Sequence, residues 1–464
     1  MSRVVVFTGP TLDEDVIRTI APNVEVVPPV AAGDLLRLSL EAGDVVAIID
    51  GFYFQSASVR HKEILDLLDR GIHVWGAASM GALRAAELAP FGMRGFGRIF
   101  DAYRNGEIDG DDEVAIIHAP QDMHYTKLTE ALVNIRYACQ AAVSEDLLTQ
   151  DDYQLVMNTA AELPFFERSY SRIWQDAYAR GLSQQVIEEL RPFVLQKCFD
   201  LKRKDALEMV QALQSPPQEP FHASFELYET QLLHGWRIDE GGFFTNDHWI
   251  VDRDLLAAYQ LFAEDYPHVH YQLLSKQLAE IAQQARLTRQ PSGEKSIMQH
   301  DCTELIAQFL SIQYNFPLEG ELPASARRWL RLEEQQLPPA EQLSLIGVRL
   351  WHSTRSQSWQ EGMIHHLKAS DMFPSLVKIV YQTHQFVGTI QEKQSGVKLE
   401  RLLPEKVYAW AMQRWNVSPA TFEIALLERG FQSPTAFWLA ARSFYLFDKY
   451  IGVARFGHAL IQNR

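Results

Sequence analysis

Cysteine is scarce. The 464 residues hold three, Cys139, Cys198 and Cys302, far apart and with no CxxC pair. That spacing offers neither a disulfide framework nor a thiolate zinc site, and each is expected as a small core residue. Basic charge is short too: 43 lysines and arginines stand against 59 acidic residues, for a formal charge of -16. A nucleic-acid backbone is held by clustered cations, so no nucleic-acid partner is expected. No run approaches the roughly 18 apolar residues of a membrane span. The opening stretch, Arg3 to Thr8, reads as a strand rather than a signal peptide. No membrane partner and a cytoplasmic location are therefore the expectation.

Two phosphate-binding fingerprints are also missing. There is no G-x-x-x-x-G-K-[ST], and Phe7-Thr8-Gly9-Pro10 lacks the further glycines of a dinucleotide loop. No cofactor is expected. The acidic stretch Asn105 to Glu113 places Asn105, Glu107, Asp109 and Gly110 at calcium-loop offsets, but Ile116 stands where the bidentate glutamate belongs. It reads as a polar turn. His352 and His365-His366 have no carboxylate or cysteine at ligand spacing, so no metal is assigned.

What is present is a soluble globular composition, 47% hydrophobic and 22% charged, in a chain long enough for two or three domains. Val4-Val5-Val6-Phe7, Val24 to Val27, Val45 to Ile49 and the run from His73 read as strands, and Glu113 to His118 as a fifth. Helical patterns lie between them, opening at Thr11, at Gly33-Asp34 and after Ser58. Strands apolar on both faces alternating with helices indicate an α/β domain with a mostly parallel, Rossmann-like sheet. The working site of such a sheet lies beyond the carboxyl ends of its strands.

The fourth run carries the most chemistry: His73-Val74-Trp75-Gly76-Ala77-Ala78-Ser79-Met80-Gly81-Ala82-Leu83-Arg84. A strand, a tight turn with a serine at its apex, then a helix is the layout of a nucleophile elbow. Ala77 stands in place of the first glycine of G-x-S-x-G, which requires its φ to stay negative. The N–H groups of Met80, Gly81 and Ala82 would suit an oxyanion. The plainer reading is that Ser79 is a helix N-cap.

Sorting by strand ends brings Gly9, Pro10, Asp50, Gly51, Ser79 and His118 to one edge, with His61 and Lys62 in the helix after the third strand. Ser79 could attack, His61 or His118 could take its proton, and Asp50 could orient the imidazole. Lys62 offers a Ser–Lys variant. Arg84 pairs with Glu87 or reaches a bound carboxylate.

These residues carry a resemblance. Phe7-x-Gly9-Pro10, Pro28-Pro29-x₃-Gly33-Asp34, Ile49-Asp50-Gly51-x-Tyr53, His61 to Leu65 and Gly76 to Glu87 come in the order of the TfuA-like family. Gly92-Met93, Gly95-x-Gly97-x-Ile99-Phe100, Asp111 to Ala115, His118, Glu130 to Arg136 and Asp200 to Ala206 continue it, so that the likeness covers roughly residues 1–210. The resemblance implies a partner of a YcaO-type ATP-dependent enzyme, which converts peptide backbone amides to thioamides. It also implies hydrolysis of the C-terminal thiocarboxylate of a ThiS-like sulfur carrier to supply sulfide. The alternative it leaves open is a non-catalytic scaffold that binds the YcaO-type enzyme and its peptide substrate. From the strand-end reading Ser79, His61, Asp50 and Lys62 are the catalytic candidates, and the resemblance does not say which histidine acts. Gly9, Pro10, Gly51, Met80, Gly81, Arg84 and His118 are the substrate-binding ones.

Beyond residue 127 the pattern turns helical: Leu128 to Ala142, Asp151 to Leu163, Tyr170 to Gly181 and Ser183 to Leu213. Lys202-Arg203-Lys204 reads as a solvated helix face, and the resemblance makes it a candidate for contacting the sheet's crevice or an acidic carrier protein. The expected domains are a core at 1–125, a helical extension at 126–215 and, after Ser215-Pro216-Pro217, a largely α-helical region at 216–464. That region is broken by turns such as Gln290-Pro291-Ser292-Gly293. Its eight tryptophans are expected mostly in its core, and a small hairpin is expected within 238–250.

Overall fold

The computed structural model describes residues 2–53, 56–289, 302–351, 358–393 and 398–452. The turn expected at 290–293, and His352, lie outside the described residues. The chain divides into two compact units, Met1–Tyr228 and Glu229–Arg464.

In the first unit the strands are β1 (Val4–Phe7), β2 (Glu25–Val27), β3 (Val45–Ile48), β4 (His73–Ala77) and β5 (Arg94–Phe96). All pairings are parallel, in the order β2-β1-β3-β4-β5. The helices are α1 (Glu14–Ile20), α2 (His61–Asp69), α3 (Met80–Leu88), α4 (Gly97–Arg104), α5 (Leu132–Ser144), α6 (Gln150–Glu162), α7 (Tyr170–Ala179), α8 (Gln184–Val194) and α9 (Leu201–Ala212).

Alternation along the strands sorts the core into two layers. Val5, Phe7, Val46, Ile48 and Val74 pack with Ile64, Leu67, Leu68, Ala82 and Ala85 of α2 and α3. Val4, Val6, Val45, Ala47 and Trp75 pack with Ile17 of α1 and with Ala206, Met209 and Val210 of α9. Burying a valine or methionine there stabilises by about 1.5–3 kcal/mol. So α9, last in this unit, is part of the sheet's own core. Helices α5 to α8 close a further cluster around Ile135, Val156, Ile173 and Leu190.

Several expectations need correction. Glu113 to His118 is not a strand of the sheet. Residues 111–113 form a 3-10 turn, and the chain then runs on as a strap. Its Ile117 carbonyl accepts the Leu128 N–H at 2.8 Å, and His118 makes one antiparallel bridge with Lys127. The true fifth strand, Arg94-Gly95-Phe96, buries only Phe96 and so shows no apolar run. The helix expected from Ser183 to Leu213 is two: α8 contains Pro192 and stops at Val194, and Asp200 caps α9 anew. Helix α1 begins at Glu14 rather than Thr11, and Asp34–Arg37 is a single 3-10 turn. Of the cysteines, Cys139 is buried but Cys198 is exposed.

The second unit is mostly helical, with one antiparallel hairpin, β6 (Gly242–Thr245) and β7 (His248–Val251), where a small hairpin was expected. Its turn residues Asn246 and Asp247 both have positive φ, as a two-residue hairpin turn requires. Trp359 is fully buried, and Trp410, Trp415 and Trp438 pack around the same core. The indole N–H groups of these last three donate to Asp448, Leu261 O and Leu402 O. No described helix is long and apolar enough to cross a membrane.

Candidate functional site

The strand order reverses between β1 and β3, and ligands of doubly wound sheets bind at such a switch point. Asp50 sits at this point, almost fully buried. One of its carboxylate oxygens accepts the N–H groups of Gly9 at 2.9 Å and Thr11 at 3.0 Å, and the other accepts the Thr11 hydroxyl at 2.6 Å. The carboxylate therefore ties the exit loop of β1 to that of β3. It makes no bond to an imidazole.

Ser79 lies one strand further along, at the turn from β4 into α3. Ala77 keeps a negative φ, as required, and the left-handed conformation falls on Ala78 at φ 67. A non-glycine residue there costs about 1–2 kcal/mol, a strain seen mostly at working sites. The turn is tight because α3 starts against the sheet: a Cβ on Gly81 would lie 1.7 Å from the Ile48 carbonyl oxygen. Ser79 occupies the N-cap position, yet its side chain makes no capping hydrogen bond. The expected row of oxyanion donors is shorter than its sequence suggests. Gly81 N–H goes to Ile49 O, and Ala82 N–H to Ser79 O, which leaves the Met80 amide.

Ser79 opens into a cleft of about 60 Å³, lined among others by Pro10, Asp50, Gly51, Tyr53, Met80, His118 and Phe165. Sites for drug-sized ligands run to about 300–1,000 Å³, so this cleft is a narrow one. The strap carrying His118 forms one wall and is anchored at four points. Tyr103 donates to Gly110 O at 2.9 Å. Arg168, wholly buried, donates to Asp112 at 2.7 Å, and Arg136 grips Glu113 through two bonds of 2.8 Å. Lys202 donates to Val114 O at 2.9 Å. The acidic stretch that resembled part of a calcium loop thus has Asp112 and Glu113 paired with arginines. Among the described residues no group of three or more histidine, cysteine or acidic side chains is placed to hold a metal.

The His118 ring pairs its Nδ1 with Ala119 O at 2.8 Å. A carbonyl can only accept, so Nδ1 carries the proton and Nε2 is left as the basic nitrogen. Phe52 and Tyr125 flank the ring. Tyr53 contacts Phe165 at the same cleft, and burial, then Asp111 and Asp112, raise its phenol pKa.

Other candidates lie elsewhere. His61 is half-exposed and bonds Glu87 at 2.8 Å, not Asp50. Lys62 donates to the Tyr228 carbonyl. Arg84 is buried but committed to Val59 O, Ser58 and Glu87. Gly9 lies against Pro29 and lines a neighbouring depression.

Lys202 is no solvated face residue but a buried one, which the basic run around it conceals. A signal is nonetheless present in the sequence: Lys202 heads the stripe Ala206, Met209, Val210, Leu213, all buried at helical spacing.

The family model described as TfuA-like protein matches residues 50–169. That segment runs from the Asp50 tie to the arginine that anchors the strap. No curated protein matches the chain.

Proposed function

We propose, from the premise that residues 50–169 are a TfuA-like segment of a family associated with thioamidation and YcaO proteins, that this protein hydrolyses the C-terminal thiocarboxylate of a ThiS-like sulfur carrier. The reaction is R–COS⁻ + H₂O → R–COO⁻ + H₂S, and the sulfide serves a YcaO-type enzyme acting on its peptide. The observation that carries the reading is the Ser79 hydroxyl. It stands at a strained strand-to-helix turn without capping the helix, in a narrow cleft that also holds His118.

The chemistry is acyl transfer. Ser79 addresses the carbonyl carbon, or holds a water that does. His118 Nε2 takes the proton, and the Met80 amide faces the developing oxyanion. Sulfide is a good leaving group and asks for little acid assistance, which suits a site with one histidine. Small residues around the serine and the cleft's slight volume support a client presented as a slender tail.

The test is to incubate the purified protein with thiocarboxylated carrier and measure sulfide. Release above the rate of carrier alone is expected, falling by about 10²-fold or more in Ser79→Ala. No release above that rate overturns the hydrolase reading and leaves the scaffold alternative, in which the protein still binds the YcaO-type enzyme and alters its peptide affinity.

A further inference from the structure

The Ser79 cleft presents an electrostatic difficulty. Its walls include Asp50 and Asp111, and the protein as a whole is strongly acidic. Asp50 is buried, so solvent and salt screen it poorly. Its three hydrogen bonds come from neutral donors. An anionic chain end entering the cleft meets that carboxylate.

One buried cation stands behind it. Lys202 is almost fully buried, and its ammonium donates to the carbonyl of Val114, which itself lines the cleft. Its backbone N–H is fixed by Asn134 at 3.0 Å, and Asn134 is in turn held by Glu130 and Asp200, each at 2.9 Å. The nearby Lys127 is committed to Glu130 at 2.7 Å and Asp200 at 3.6 Å. Arg84 already serves Glu87 and two groups of the 58–59 loop. Of the basic run, Lys204 points away to the Tyr137 hydroxyl. Lys202 is thus the buried lysine whose ammonium bonds the wall of the cleft that Asp50 also lines.

We infer that Lys202 is a positioning residue that balances the charge of Asp50 behind the Ser79 cleft and so lets an anionic chain end, carboxylate or thiocarboxylate, enter it. The inference rests on the proposed reading for the nature of the client, but not on turnover. The ammonium does two things at once. It holds the strap by Val114, and it offsets a buried negative charge where a second one must arrive. Burial weakens its hold on the proton, while Asp50, Asp200 and Glu130 strengthen it and Lys127 opposes them.

Binding separates this role from a structural one. The probes are two short fluorescein-labelled peptides of one sequence ending in glycine, one a free carboxylate and the other a carboxamide. They are titrated against the full-length protein by fluorescence anisotropy. The wild type should prefer the carboxylate by about 10-fold. In Lys202→Gln, which keeps a donor for the Val114 carbonyl but has no charge, the preference should shrink to about twofold or less with the carboxamide affinity unchanged. Lys202→Met serves as the second neutral variant and should lose the preference as well, whatever it does to overall affinity.

An equal preference in wild type and both neutral variants, or the absence of any preference in the wild type, overturns the inference. So does an equal weakening of both peptides in Lys202→Gln. If the preference behaves as stated while no sulfide is released from the carrier, the hydrolase reading fails and the charge-balancing role stands.

Discussion

The carboxylate of Asp205 accepts the backbone N–H of Ile99 at 2.8 Å, joining α9 to the first turn of α4 across 106 residues of sequence. Gly97, with φ +85, lets this happen, since a Cβ there would lie 2.2 Å from Asp205 Cγ. A second carboxylate plays a similar part. Glu63, wholly buried, accepts the Gly33 N–H at 2.9 Å and pairs with Arg60 at 3.0 Å.

Both pairings make stability depend on pH. Burial pushes Asp205 up to about 6 and Glu63 up to about 7, against the opposing backbone hydrogen bonds. The folded chain therefore holds these protons more tightly than the unfolded chain. The associated stability is full below about pH 4 and is lost as pH rises through about 6 and then 7. Each contributes on the order of 3 kcal/mol at its upper limit. The midpoint of thermal unfolding, followed by circular dichroism, should fall between about pH 5 and pH 8. Glu63→Gln and Asp205→Asn should each flatten part of that slope, and an unchanged slope in both would refute the assignment.

Ser79→Ala should leave the fold almost untouched. A serine that caps a helix costs about 1 kcal/mol when removed. The Ser79 side chain makes no such bond, so a change under about 0.5 kcal/mol is expected in urea unfolding. His118→Gln should lower sulfide release by about 10²-fold, whereas His61→Gln should change the rate less than about threefold. A rate lowered by His61→Gln but not by His118→Gln would reassign the base.

Gly81→Ala should be severe. The new methyl would meet the Ile48 carbonyl, which is backbone and cannot swing aside. A loss of about 3 kcal/mol or more, or insoluble protein, is expected. Gly106→Ala is the control: nothing lies within 4 Å of its Cβ, so it should cost only the strain of its positive φ, about 1 kcal/mol.

Arg168→Ala should destabilise by about 3 kcal/mol or more, because it strands the carbonyls of Ala160 and Leu163 as well as Asp112. Lysine should not rescue it, since one ammonium cannot reproduce a planar fork serving several acceptors. Hydrogen exchange along residues 110–118 should quicken in the same variant. If exchange there stays as slow as in the wild type, Arg168 does not anchor the strap.

The parts of this architecture written in apolar periodicity are legible in the sequence. Val4–Phe7, Val45–Ile48 and His73–Ala77 are buried on both faces and announce themselves as strands. Arg94–Phe96 does not, because an edge strand of three residues is held chiefly by backbone pairing with β4. The apolar run Val114-Ala115-Ile116-Ile117 reads as the fifth strand in its place, and its hydrophobicity belongs to a cleft wall. In the candidate site, strand-end topology brings Pro10, Asp50, Gly51 and Ser79 around one crevice, whereas His118 reaches it on the strap and not from a strand of the sheet. Side-chain partnerships are not legible: His61 and Asp50 look like neighbours, but Glu87 lies across from the one and Thr11 beside the other. Which hydrogen bond a polar group makes depends on distances of a few tenths of an ångström, and residue spacing does not carry that information.

One consequence concerns the order in which the chain is made. A growing polypeptide completes β1 to β5 by residue 96, yet α9, which shares the second face of that sheet with α1, ends at residue 212. During synthesis a valine-rich surface waits partly uncovered while more than a hundred further residues emerge, a period in which other hydrophobic segments compete for it. Fragments ending near residue 169 should therefore aggregate or recruit chaperones, while those reaching residue 228 should not. The stretch most easily recognised by family is not the stretch that can be born alone.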